Sequence, residues 1–300
     1  MKRKVIIMGG KTAVISLPAS WIKKFEIHKG DELDIQEKGK EILIKITNEN
    51  SLKRQVLDIR EIGDSSMIWN FIPAAYISGA DEIEIYFKNN EQKDIIEQCV
   101  STMIGFGIVD EKENYIRIKD ITGAEIEFDP VFRRIFLMLN SIVKEGFEAL
   151  TKNNFEKLSF LKNKDYLINF NIFFCLRYIF KNDKENVVAY SILNLLESMG
   201  DRIADTYEYI SINKVKVNKT FINIFENAKK IIEELNHVYY ISKKEEKIKL
   251  ISNLDNQCEM FEKLIKNEFC KLSKDESIAI SYIHAAIGTL RDTINLLLAK

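Results

Sequence analysis

Apolar and polar positions change over short runs in the first 47 residues. KVIIM (4–8) and TAVISL (12–17) flank Gly9-Gly10, a pattern of two strands joined by a hairpin turn. Pro18 opens a short helix in PASWIKKFEI, where the missing proline N–H leaves nothing unsatisfied. Gly30-Asp31 turns the chain into a strand, ELDIQE, and LIKI (43–46) closes the unit after Gly39. Residues 53–125 then alternate strand and helix. RQVLDIR is a strand, SSMIWNFIPAAYIS an apolar helix carrying Pro73, and DEIEIYF (81–87) a strictly alternating, half-buried strand. EQKDIIEQCVSTMIG (91–105) is amphipathic, and GIVDEKENYIRIKDI folds back as two strands around a charged turn. From Asp129-Pro130, read as N-cap and first helical residue, the period is helical to the end. Helices are expected over 130–150, 153–181, 185–210, 218–242, 244–271 and 274–299.

This texture predicts an α+β multidomain chain. Residues 1–50 form a small β-rich unit, 51–127 an α+β module, and 128–300 an all-α bundle of long helices on short turns. The first unit is too small to bury a core alone, so it is expected to dimerise.

Composition narrows the class. Of 300 residues 46% are hydrophobic and 30% charged, with a net charge of −1, so bulk charge announces neither nucleic acid nor membrane. Cys99, Cys175, Cys258 and Cys270 form no C-x-x-C pair, which fits free thiols in a reducing cytoplasm. His28, His237 and His284 lie far apart, and His284, in an apolar helix, is expected in the core. Residues 1–8 do not read as a signal peptide. No apolar run reaches the length of a membrane span; LINFNIFFCLRYIF (167–180), broken by Asn169, Asn171 and Arg177, reads as a buried helix.

The six helices divide into two sets of three, which invites an internal alignment. With Gly200 placed over Gly288, Glu197 falls on Ala285 and Asp201 on Thr289; in the second helices, Asp165 and Asn169 pair with Asp255 and Glu259. Glu197, Asp201 and Asp205 stand four apart, so they share a helix face, and such a row repels itself unless a cation lies between. ESMGDRIAD resembles the E-x-x-G-D signature of PhoU-like phosphate-signalling proteins, which consist of two three-helix repeats. The resemblance implies divalent metal or iron ions on Glu197, Asp201 and Asp205 with Asp165 facing them, and a second site with Asp255 and Glu259, incomplete because Ala285 and Thr289 stand where acids are expected. The alternative is a solvated groove whose acids are satisfied by Arg202 or lysines.

The front end has its own signature. Leu17, Pro18, Trp21, Ile22, Lys23, Lys24 and Phe25, then Lys29-Gly30-Asp31, resemble the swapped-hairpin DNA-binding domain of the AbrB/SpoVT/MazE type, in which two chains interleave into one β-barrel. Residues 1–24 carry Lys2, Arg3, Lys4, Lys11, Lys23 and Lys24 and no acid, a charge pattern suited to a phosphate backbone. Thr12, Ser16 and Ser20 add neutral hydroxyls. The same lysines would also serve as solubility devices on exposed strands.

The order of the three parts resembles archaeal proteins described as phosphate uptake regulators. Two functional readings follow. In the first, a homodimer formed through residues 1–50 binds DNA and the bundle senses a metal or a partner. In the second, the bundle docks on a phosphate transporter component or a sensor kinase and the front end only dimerises. A Glu-x-x-His spacing of the kind that di-iron bundles use is not expected at His237 or His284, and no enzyme is expected.

Overall fold

Two glycines in the left-handed region start the fold. In the computed structural model, which describes residues 2–46, 52–122, 126–183, 186–241 and 243–298, Gly9 (φ 58°) and Gly10 (φ 78°) turn β1 (Ile6–Met8) into β2 (Thr12–Val14), with Met8 opposite Thr12. Helix α1 (Ala19–Lys24) follows Pro18, and Gly39 (φ 59°) joins β3 (Leu33–Lys38) to β4 (Glu41–Ile46). These hairpins form two separate two-stranded sheets, and no barrel closes within the single chain among the described residues.

The chain divides into two compact units, Met1–Leu52 and Lys53–Lys300. No described side chain of 2–46 is buried: Ile7, Ile35 and Ile42 are 61%, 61% and 62% exposed. A hairpin pair that leaves its own isoleucines in water lacks the burial needed to be stable alone.

The second unit opens with a four-stranded mixed sheet, β5 (Arg54–Asp58), β6 (Glu82–Tyr86), β7 (Phe106–Lys112) and β8 (Tyr115–Asp120), in the order β5-β6-β8-β7. β5 runs parallel to β6, which requires a crossover, supplied by α2 (Ser65–Ile77); the other pairs are antiparallel. Ile83, Ile85, Ile116 and Ile118 from the strands meet Ile68, Ile72 and Tyr76 of α2 and Ile96 and Cys99 of α3 (Asn90–Thr102) in one core.

Six long helices follow among the described residues: α4 (Phe128–Thr151), α5 (Phe155–Asn182), α6 (Val187–Asn213), α7 (Lys219–Tyr240), α8 (Lys244–Glu268) and α9 (Lys274–Leu297). Their starts are written in side chains. Asn154, Asn186 and Asn218 each accept a backbone N–H of the first turn, and Ser273 with Glu276 forms a capping box. The α4 start differs from expectation. The helix begins at Phe128, so Asp129 sits inside the first turn, where its charge suits the helix dipole, rather than at the cap.

α4 packs on α5 and α5 on α6; α7 packs on α8 and α9; α6 against α9 and α4 against α7 join the two sets. The buried positions of the sets correspond helix by helix. Phe132, Ile135, Phe136, Leu139, Ile142 and Val143 of α4 match Phe221, Ile224, Phe225, Ala228, Ile231 and Ile232 of α7. Every buried residue of α9 from Glu276 to Leu297 falls on a buried residue of α6 when Ala189 is set over Glu276 and Ile210 over Leu297. In α5 and α8, Leu158, Leu161, Asp165, Ile168 and Ile172 fall on Ile251, Leu254, Cys258, Phe261 and Ile265.

This register corrects the alignment on glycines. Gly200 corresponds to Ile287, Glu197 to His284, Asp201 to Gly288 and Asp165 to Cys258. The two glycines are not equivalent: Gly200 is buried against Asp165, whereas a Cβ on Gly288 meets open space. His284, expected in the core, is exposed. The thiols are free and mostly buried, as expected, with Cys99, Cys175 and Cys258 buried and Cys270 exposed.

Arg177 of α5 ties the sheet module to the helices. Its guanidinium, 5% exposed, donates to the carbonyls of Tyr76 (2.8 Å) and Ala80 (2.6 Å) and lies 4.8 Å from the ring centres of both Tyr76 and Phe106. One turn on, Lys181 reaches Asp81 at 2.5 Å.

A pair of glycine substitutions tests the helical packing. A Cβ on Gly146 would overlap the buried Tyr207 hydroxyl, which donates to the Ile142 carbonyl. Gly146→Ala is expected to cost about 1–3 kcal/mol by overpacking, whereas Gly288→Ala is expected to gain up to about 1 kcal/mol of helix propensity; urea denaturation of the two variants measures both.

Candidate functional site

The six basic residues of 1–24 all reach solvent. Lys2, Arg3 and Lys4 precede β1, Lys11 sits in the β1–β2 turn, and Lys23 and Lys24 end α1. Thr12 in β2, Ser16 after it and Ser20 on α1 are exposed as well. The first acid, Glu26, follows α1 in a left-handed conformation (φ 52°), and Asp31 closes the next turn by accepting from the His28 backbone N–H at 2.6 Å. The lysines at the C-terminus of α1 face the favourable end of its dipole, so local structure places no penalty on their charge.

The carboxylate row of α6 is divided by its partners. Asp205 is satisfied: Lys162 lies 3.2 Å from it and Arg202 3.7 Å. Lys162 also reaches Glu208 at 3.5 Å. Among the described residues, no basic side chain forms an ion pair with Asp165, Glu197 or Asp201. Asp165, 3% exposed on α5, lies beside Asp201, and its Oδ1 has no partner and stands 3.1 Å from where a Cβ on Gly200 would lie. Gly200 is therefore what lets the buried carboxyl approach α6. Burial first, and then Asp201 alongside, pushes Asp165 up to about 8; burial and Asp201 likewise raise Glu197.

The acids of the second set are engaged by a residue that the sequence pattern did not single out. Arg291 of α9 bonds Asp255 at 2.6 Å, Glu259 at 3.2 Å and Glu262 at 3.4 Å. A guanidinium inside a carboxylate trio is a strong, multiply hydrogen-bonded arrangement, so Asp255 and Glu259 are not left for an outside cation. A Glu-x-x-His spacing does occur on α7, Glu234 to His237, but Glu234 accepts from Gln257 at 2.9 Å and His237 is exposed.

The first set also has a wall that residue spacing did not announce. A cavity of about 330 Å³ between α2, α5 and α6 is lined by Trp69, Tyr166, Asn169, Phe170, Phe173, Glu197 and Asp201, with Ser66 and Asn70 at α2. Trp69 and Tyr166 stack with ring centres 5.9 Å apart and planes at 24°. The Asn169 Oδ1 is buried without a donor. Trp69 and Tyr166 are far apart in sequence, and only the docking of the sheet module on α5 brings them together.

Comparison with known proteins bears on the front unit alone. Residues 6–51 match the family model described as "Antidote-toxin recognition MazE, bacterial antitoxin", so this unit is similar to MazE/AbrB-type domains. No curated protein and no solved structure gave a match. Among the described residues, no helix is long and apolar enough to cross a membrane.

Asp165 makes stability depend on pH. With its carboxyl held up to about 8 against 3.8 ordinarily, the folded chain keeps a proton there that the unfolded chain releases above about pH 4. The folded state then binds more protons across that window, so stability falls as pH rises from about 4 to 8. In chelator, the urea midpoint is expected to fall between pH 5 and 8, and Asp165→Asn is expected to flatten that fall.

Proposed function

We propose that this chain is a homodimeric DNA-binding transcriptional regulator of phosphate uptake whose helical part is a PhoU-like sensory or partner-docking element. The observation that carries the reading is the front unit itself. It resembles a MazE/AbrB-type domain over residues 6–51, buries no described side chain alone, and keeps residues 1–24 basic and free of acids. A second copy that interleaves its hairpins would cover the exposed isoleucines and double the basic surface. Lys2, Arg3, Lys4, Lys11, Lys23 and Lys24 would meet the phosphate backbone, with Thr12 and Ser20 adding neutral contacts. The phosphate role rests on the ESMGD motif and on the paired three-helix sets. Within them, Asp165, Glu197 and Asp201 form the cation site, for which a divalent metal is one occupant; Asp205 is taken by Lys162, and Asp255 and Glu259 by Arg291.

Fluorescence anisotropy with duplex DNA across a salt series tests the reading, comparing the full chain with one lacking residues 1–52. The full chain is expected to bind with a steep salt slope and the shortened one not to bind. Lys23→Ala with Lys24→Ala is expected to weaken binding and to lower the slope by about 1 for each phosphate that goes unneutralised. Absence of binding by the full chain at low salt would leave the front end as a dimerisation device and favour docking on a phosphate transporter component or a sensor kinase.

A further inference from the structure

We infer that the cavity between α2, α5 and α6 binds an aliphatic di- or polyamine, with an ammonium held by Glu197 and Asp201 and the alkyl chain laid against Trp69 and Phe170. The inference rests on the reading of the acid row as a cation site and names the chemistry of the cation.

The cavity carries negative charge that no basic side chain among its lining residues offsets: Glu197 and Asp201 stand in its wall beside the neutral groups of Trp69, Asn70 and Tyr166, and the Asn169 Oδ1 is buried without a partner. Asp165 is 3% exposed and its Oδ1 has no partner. Buried acceptors without donors are costly, and among the described residues no basic side chain lines the cavity. An occupant that brings donors and positive charge together relieves the two carboxylates and the Asn169 Oδ1 of the wall.

The chain itself shows which kind of cation its acid clusters take. One turn along the same row, Asp205 and Glu208 hold the ammonium of Lys162. In the second helix set, Asp255, Glu259 and Glu262 hold the guanidinium of Arg291. Both are nitrogen cations on alkyl stems. Of these three clusters among the described residues, the Glu197–Asp201 pair has no such arm, and it is the one that faces an aromatic wall.

The wall decides between an amine and a metal ion. A divalent metal gains nothing from a Trp–Tyr stack and calls for further oxygen ligands in a tight shell. An alkylammonium gains from both parts: its head from the carboxylates and from the ring faces, its methylenes from burial against Trp69, Phe170 and Phe173. Glu197 and Asp201 stand four residues apart, about 6 Å along the helix, a spacing that suits a cation with more than one ammonium. The cavity volume of about 330 Å³ accommodates a short aliphatic chain.

Isothermal titration of the metal-stripped full chain, without DNA, tests this with putrescine and spermidine against magnesium, manganese and zinc ions. Saturable binding of an amine at one site per chain is expected. Asp201→Asn is expected to weaken it at least tenfold. Trp69→Leu, with Tyr166→Ala as a second wall variant in case the first loses its fold, is expected to weaken amine binding several-fold and leave any metal binding unchanged. Glu259→Gln, outside the cavity, is expected to change nothing. The inference is overturned if no amine binds, if a metal ion binds these acids while amines do not, or if Glu259→Gln weakens amine binding as much as Asp201→Asn does. Because DNA is absent from the titration, failure here and failure of the DNA-binding reading are separate results.

Discussion

A single guanidinium, buried where water cannot solvate it, holds the sheet module on the helices. Arg177 donates to two carbonyls at the end of α2 and lies close to two aromatic rings of the module. Its Nη2 has no hydrogen-bond partner and lies 3.7 Å from Asp81, and a charge this buried is tolerated only beside acceptors and opposite charge, so the position of α2 over α5 is specified rather than loose. The cavity follows from that docking. Trp69 comes from α2, Tyr166 and Phe170 from α5, and Glu197 and Asp201 from α6. Were α2 to lift from α5, the acid row would become an open, wet helix face.

The two helix sets share a buried frame and differ in what they do with charge. Where the first set buries Asp165, the second buries Cys258, whose thiol is pushed up to about 12 by the same desolvation. Where the first places Glu197 and Asp201, the second has His284 and Gly288. The second set still carries acids on α8, but Arg291 neutralises them from within. Packing has been kept on both sides while an open charged site survives on one, the side that the sheet module covers.

The front unit obeys a different constraint. Its strands and turns form as local chemistry dictates, with glycines in positive φ at both hairpins, yet its isoleucines stay in water. Hairpins of this length are stable only when a further layer covers them. The proposed second copy would supply that layer and bring a second set of lysines with it.

The sequence by itself determined the elements. Period, caps and turn residues place all six long helices and the mixed strand–helix module within a few residues, because an asparagine cap or a left-handed glycine acts over a single turn. It also marked Glu197 and Asp201, since carboxylates four apart on an apolar helix stand out from their neighbours, while Asp165 was implied only by the resemblance that ESMGDRIAD carries. Which acids remain open was decided only in three dimensions. Lys162 takes Asp205, Arg291 takes Asp255 and Glu259, and Trp69 joins Glu197 and Asp201 in one cavity wall. The register between the helix sets was likewise hidden, because two glycines in similar contexts look equivalent until burial shows that one faces Asp165 and the other faces solvent. Local patterns report on neighbours a turn apart; the pairing of charges between helices, and the wall that shields them, depends on residues that only packing brings together.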